Sequence, residues 1–230
     1  MFRLENVSKV YRRRGSNVVA LQATSLEICA GDYIAVVGPS GSGKTTLLSL
    51  LGGMLSPNAG RVWLGGMSLY EVSIAERTRL RREKIGFVFQ TFNLVPYLTA
   101  VENVQVPLYL AGVPTGEQRA RAVASLVRVG LSDRLDHKPH ELSTGQQQRV
   151  ALARTVVNDP PVILADEPTG NLDPDSRKRV LDFFDELQRE NRTIVMVTHD
   201  PQAAERAQRR ISLCDGSVST GSLRTTAKAA

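Results

Sequence analysis

Hydrophobic positions change their spacing along the chain, and each change marks a different kind of element. Up to about residue 40 the period is short. Val19, Leu21 and Ala23 alternate with polar neighbours, and Tyr33-Ile34-Ala35-Val36-Val37 is an unbroken apolar run ending at Gly38. An unbroken run suits a strand covered on both faces, as in a parallel sheet. Residues 43–51 then read as a helix, Pro57-Asn58-Ala59-Gly60 as a turn and residues 61–64 as a strand. A charged helix at 74–83 and a strand at 85–89 follow.

From Thr99 helical spacing takes over and lasts to about Asn158. Thr99 with Glu102, and Thr115 with Gln118, have capping-box separation ahead of apolar residues at helical intervals. Alternation then resumes: strand 162–165, helix 174–189, strand 193–197, helix 201–208, strand 211–214. Asp173-Pro174 and Asp200-Pro201 each set an N-cap acid before a first-turn proline. The tail from Gly216 is small and polar and is expected to fray. No internal repeat is visible. The pattern predicts one α/β domain over 1–230: a core from 1–90 and 159–230, and a helical insertion over 91–158.

Composition narrows the class. With 230 residues, 42% of them hydrophobic and 23% charged, the chain is neither disordered nor collagen-like. No apolar run nears the ~18 residues that span a bilayer. The opening Met1-Phe2-Arg3-Leu4-Glu5 lacks the apolar stretch of a signal peptide. Cys29 and Cys214 are too few and too far apart for a metal motif, and read as free thiols in a reducing cytosol. A soluble, intracellular protein is expected. The net charge of +6 raises nucleic acid or an anionic membrane as partners. Its two visible clusters, 12–14 and 77–84, carry no interleaved aromatics, and read as solvated faces; no nucleic-acid partner is expected.

Chemistry enters at Gly38-Pro39-Ser40-Gly41-Ser42-Gly43-Lys44-Thr45, a G-x-x-x-x-G-K-[ST] pattern between an apolar strand and a helix. The glycines let backbone N–H groups turn inward around phosphates, and the helix N-terminus adds its dipole. Lys44 is the group to reach the β- and γ-phosphates, and Thr45 the one to hold Mg²⁺. Its counterpart is Val162-Ile163-Leu164-Ala165-Asp166-Glu167, an apolar strand delivering acids at its carboxyl end, where open α/β sheets bind ligands. Asp166 is the expected Mg²⁺ acid and Glu167 the expected general base for an attacking water.

A second candidate anion site lies in Leu142-Ser143-Thr144-Gly145-Gln146. Ser143 and Gln146 have capping spacing, which puts Ser143 at a helix N-terminus with Gly145 clearing the approach. On local grounds a well-capped helix explains the pattern equally well.

In this order and spacing, these segments resemble the ATP-binding subunit of ABC transporters across nearly the whole chain. The resemblance implies a P-loop NTPase (RecA-like) core with an antiparallel β region and a helical subdomain carrying Ser143, Gly145 and Gln146. It implies ATP along 38–45 and at Thr46, with Tyr11 stacking on adenine, and Mg²⁺ held by Thr45, Asp166 and Gln90. Gln90 resembles the glutamine that also touches the membrane subunit. Asn171-Leu172-Asp173 resembles the D-loop, and His199 the switch histidine on the γ-phosphate, although alone it reads as a structural histidine. Glu167, His199, Lys44 and Gln90 are thereby the implied catalytic set. A head-to-tail homodimer is implied, one copy's Ser143 segment closing on ATP bound by the other. Thr144 departs from the family's glycine, which bears on the speed of closure.

Gly86-Phe87-Val88-Phe89-Gln90, Phe92-Asn93-Leu94, 98–104 and 165–173 resemble one subgroup, the ATPases of lipoprotein-release, macrolide-export and cell-division complexes. That implies a peripheral place on the cytoplasmic face of the inner membrane, and a permease partner with a large extracytoplasmic domain. The alternative is a regulatory module that switches a cell-division-type membrane complex without moving a solute. A soluble relative acting on ribosomes or DNA fits less well, since the chain has neither a second cassette nor a long coiled coil. A GTPase is poorer still, because no Asn-Lys-x-Asp segment occurs.

Overall fold

A computed structural model describes residues 1–13 and 15–220. Two sheets form its frame. The smaller is antiparallel and four-stranded: β1 (Phe2–Arg13), β2 (Ser16–Ile28), β4 (Ala59–Leu64) and β5 (Met67–Ser68), in the order β2-β1-β4-β5. The larger joins β3 (Tyr33–Val37), β6 (Ile85–Val88), β7 (Val162–Asp166), β8 (Thr193–Val197), β9 (Arg209–Cys214) and β10 (Ser217–Thr220), in the order β10-β9-β3-β8-β7-β6. All its neighbours are parallel except β10 against β9.

The unbroken apolar runs are explained by two cores, one on each face of the larger sheet. Ile34, Val36, Val195, Val197 and Leu164 face the smaller sheet and α1 (Lys44–Leu51), meeting Phe2, Leu4, Val62 and Leu50. Tyr33, Ile163, Ala165, Ile194 and Met196 face the other way, onto Leu181 and Phe184 of α6 (Pro174–Arg189). That second core continues into α3 (Ala100–Leu110), α4 (Thr115–Arg128) and α5 (Thr144–Val156) through Val104, Leu126 and Leu152. The remaining α-helices are α2 (Ile74–Lys84) and the short α7 (Pro201–Arg206), and a 3-10 turn runs over Pro139–Glu141.

The Thr99–Glu102 and Ser143–Gln146 capping boxes both form. The Thr115–Gln118 pair does not. Pro114 takes the N-cap position, Thr115 is already helical, and the Gln118 amide donates instead to the Val113 carbonyl. The alternation read at Val19, Leu21 and Ala23 also fails, since only Leu21 is buried. Irregular pairing between β1 and β2 shifts their register around Val7, Lys9 and Val10, and a one-residue slip exchanges the two faces of a strand. Thr24, Leu26 and Ile28 are the inward set beyond it. The tail is ordered further than expected, because Ser217–Thr220 gains a partner in β9; residues from 221 on, and Arg14 of the 12–14 cluster, lie outside the described residues.

Candidate active site

Four neighbouring parallel strands, β3, β8, β7 and β6, end at one rim, and the segments that follow them supply the site. After β3 comes the glycine-rich loop, after β8 His199, at the end of β7 Asp166 and Glu167, and beyond β6 Gln90. These residues line a cleft of about 630 Å³ together with Tyr11, Thr45 and Thr46. The acids are one strand further from the loop than adjacency would put them, because β8 lies between β3 and β7. That intervening strand is what inserts His199 into the site.

The loop is shaped by close backbone approach. A β-carbon on Gly38 would stand 2.0 Å from the Leu213 carbonyl oxygen, and one on Gly43 2.0 Å from that of Ala20, so neither position admits a side chain. The Lys44 ammonium donates to the carbonyls of Gly38 and Pro39, 2.8 Å each, which holds it over the loop. Ser40 and Gly41 line the cleft, whereas Ser42 turns inward, its hydroxyl buried without a partner. The Tyr11 hydroxyl lies 3.4 Å from Thr46 Oγ1, and Tyr11 sits opposite Val18 across β1 and β2. Val18, Ala20 and Val197 complete the wall. Sequence reading missed these three: Val18 and Ala20 are brought there by the irregular β1–β2 register, and Val197 by β8 standing between β3 and β7.

Glu167 is held unusually. Its φ of 46° is left-handed, a conformation that costs a non-glycine residue roughly 1–3 kcal/mol and collects at functional sites. Its N–H donates to the Val197 carbonyl at 2.9 Å, which ties the strained turn to β8. His199 Nδ1 lies 2.9 Å from Glu167 Oε2, and the His199 N–H also donates to that oxygen at 3.3 Å. The carboxylate is largely covered while the imidazole is mostly exposed. A carboxylate lining the cleft and the histidine beside it therefore form one unit.

Burial holds the Asp166 carboxyl above its ordinary range; the Thr45 hydroxyl and Lys44 oppose this, and the Glu167 charge adds to it. With the folded pKa above the unfolded one, the folded chain binds more protons between the two values. Stability therefore falls as pH rises through that window, and the full cost is carried at neutral pH. Asp166→Asn is expected to raise the Tm of the nucleotide-free protein by a few degrees at neutral pH. The gain should vanish in acid below the ordinary aspartate pKa, where the carboxyl is protonated in both states. Calorimetry across pH checks both halves; an unchanged neutral Tm contradicts the account.

Thr45, Gln90 and Asp166 present oxygen donors toward the same space, a set suited to a hard cation such as Mg²⁺. Among the described residues no group of three or more His, Cys, Asp or Glu is placed to hold a metal. A cation here would need oxygens from a phosphate as well.

Ser143, Gly145, Gln146 and Asp173 do not line this cleft. They form a second surface, where the N-termini of α5 and α6 meet. Ser143 caps α5, accepting from the Gln146 N–H at 3.3 Å, and Asp173 caps α6, accepting from the Ser176 N–H at 2.9 Å. Gly145 is buried, and a β-carbon there would stand 2.1 Å from Ser176 Oγ. The glycine thus clears the approach of α6. Gln148, fully buried, donates to the Pro168 carbonyl at 2.7 Å and ties α5 to the segment just after Glu167.

A separate groove of about 710 Å³ runs between α2, β6 and the end of α3. Its described lining includes Arg81, Arg82 and Arg154 with Met54, Phe89 and Leu110, and no carboxylate. No helix of the described residues is long and apolar enough to cross a membrane.

The sequence model of the family described as "ABC transporter" matches residues 21–170. An uncharacterised ABC transporter ATP-binding protein of Bacillus subtilis, YvrO, is 45% identical over 218 residues, 95% of each chain. The macrolide export ATP-binding/permease protein MacB of Bartonella quintana is 46% identical over 94% of this chain, which spans only 33% of that protein. Among solved structures, the ATP-binding cassette MJ0796, a dimer in a post-hydrolysis state bound to ADP and Pi, is similar with a TM-score of 0.91. The two are 41% identical, and the match covers 97% of this chain and 99% of that one.

Proposed function

The chain belongs to the ABC transporter family, as an ATP-binding and ATP-hydrolysing cassette, and from that premise we propose how its residues divide the work. The observation that carries the reading is a single cleft holding Lys44, Thr45, Asp166, Glu167 and His199, with His199 Nδ1 2.9 Å from the Glu167 carboxylate.

The loop amides of 38–45 and the N-terminus of α1 cradle the phosphates, Lys44 leaves its two carbonyl partners for the β- and γ-oxygens, and Thr46 adds a hydroxyl. Tyr11, with Val18 beside it, takes the adenine. Thr45, Asp166 and Gln90 would hold Mg²⁺, whose chemistry there is to neutralise charge on the β- and γ-phosphates. Glu167 takes a proton from the attacking water as its oxygen bonds to the γ-phosphorus and the bond to the ADP oxygen breaks. His199 keeps the carboxylate turned toward that water and contacts the γ-phosphate.

The chain acts as a homodimer. The capped α5 N-terminus of one copy, with Ser143, Gly145 and Gln146, closes on ATP in the other, and Asp173 lies at the same junction. Completing the site only on closure makes hydrolysis conditional on conformation. The helical segment 91–158 is the lever, and the groove flanked by Arg81 and Arg82 receives the permease. That permease has a large extracytoplasmic domain and sits in the cell membrane, with the cassette on its cytoplasmic face; the work is export, lipoprotein release or mechanical transmission.

The test is to recover the Glu167→Gln protein from solubilised membranes in ATP and Mg²⁺ and identify what it holds. A permease with a large extracytoplasmic domain is expected. A cell-division regulator would transfer the assignment to signalling, and soluble or nucleic-acid partners alone would contradict the permease reading.

A further inference from the structure

The segment that joins β6 to α3 carries Gln90 at its start and is strained immediately afterwards. Phe92 and Asn93 are successive left-handed residues, with φ of 54° and 49°. Asparagine tolerates this conformation; a bulky phenylalanine adopts it only where its surroundings impose it.

The surroundings are specific. The guanidinium of Arg154, on α5, donates Nη2 to the Phe92 carbonyl at 2.6 Å and Nη1 to that of Asn93. Arg154 makes no ion pair among the described residues, and burial pushes its pKa down. A charge withdrawn from water without a carboxylate is costly, so its two carbonyl acceptors are its main compensation. The segment is also fixed beyond the strained pair. Asn103, fully buried on α3, accepts from the Val95 N–H at 2.7 Å and donates to the carbonyls of Val95, Leu98 and Thr99. On the near side, Thr155, next to Arg154, donates to the Phe87 carbonyl at 2.7 Å. The path from β6 to residue 95 is thereby held from outside at its two ends and, between them, by Arg154, while the turn adds its own bonds from the Phe92 N–H to the Phe89 carbonyl at 3.3 Å and from the Thr91 hydroxyl to Asn93 Oδ1 at 2.9 Å.

We infer that Arg154 is a positioning residue for hydrolysis: by forking the carbonyls of Phe92 and Asn93 it holds the strained turn that aims Gln90 into the nucleotide cleft. Gln90 lies two residues from the clamped Phe92 carbonyl and lines the cleft with Glu167, its Nε2 3.6 Å from where a β-carbon on Gly170 would stand. Releasing the clamp lets Phe92 leave the left-handed region and Gln90 retreat from the cleft. ATP binding, which rests on the loop after β3, is untouched. The inference rests on the reading of Gln90 given above.

The experiment is a double-mutant cycle on ATP hydrolysis by the purified full chain, with Tm measured for every variant. Arg154→Gln is expected to lower kcat about tenfold with the KM for ATP within about twofold of wild type. In a Gln90→Ala background it should change nothing further. Arg154→Lys should restore little, because one ammonium cannot fork two carbonyls; it carries the test if Arg154→Gln does not fold. If Gln90→Ala lowers kcat and Arg154→Gln or Arg154→Lys lowers it further by its full factor, Arg154 acts elsewhere and the inference is overturned. If Gln90→Ala hydrolyses ATP at the wild-type rate, the role given to Gln90 fails, and the inference with it.

Discussion

Glu167→Gln is expected to lower kcat for ATP hydrolysis by at least about 100-fold while leaving ATP binding intact. Glutamine keeps the shape of the side chain, and its amide can still face His199, but it cannot take a proton from water. The backbone that aims residue 167 is fixed by the N–H bond to Val197 and the left-handed turn, neither of which depends on the carboxylate. A loss confined to kcat is therefore the signature of a missing base. A variant that turned over at the wild-type rate would place the base elsewhere, and a raised KM with unchanged kcat would make Glu167 a binding group.

Gly145→Ala has the next largest expected effect. The added methyl would stand 2.1 Å from Ser176 Oγ and 2.6 Å from Ser176 Cβ, closer than real atoms approach. The N-termini of α5 and α6 must part to make room. Overpacking of this kind costs about 1–3 kcal/mol, so the Tm should fall by several degrees. Hydrolysis should fall at least about tenfold, because the α5 terminus is the surface we propose to close on the second copy's nucleotide. Adding Ser176→Gly removes both clashing atoms and is expected to restore most of the Tm and the activity. If the pair recovers stability but not hydrolysis, Gly145 is needed where the phosphate arrives, and the packing account is insufficient.

Much of this site was legible as text because its chemistry is carried by short contiguous runs. The glycines and Lys44 lie in eight successive residues, Asp166 and Glu167 are adjacent at a strand end, and the Ser143–Gln146 capping box is local. Boundaries of β7, β8 and α6 were equally plain, since proline, an N-cap acid and apolar runs mark them. What stayed hidden depends on distance or backbone state. Nothing in Val18 announces that it will stand across from Tyr11, because irregular pairing between β1 and β2 decides the face. The left-handed turns at Glu167 and Phe92 run against residue preference, so no propensity could find them. Gly145 illustrates the intermediate case: a small residue was evidently required, yet the atom it makes room for belongs to a helix 31 residues further on (176 less 145).

The central claim is that ATP held by one copy is hydrolysed only when a second copy closes on it. The most direct measurement is the mass of Glu167→Gln by light scattering, in Mg-ATP and in Mg-ADP. Hydrolysis being blocked, ATP should hold the protein at twice the 25.1 kDa of one chain, while ADP leaves it at that mass. A 25.1 kDa species in saturating ATP, with binding of ATP confirmed, would contradict the composite site.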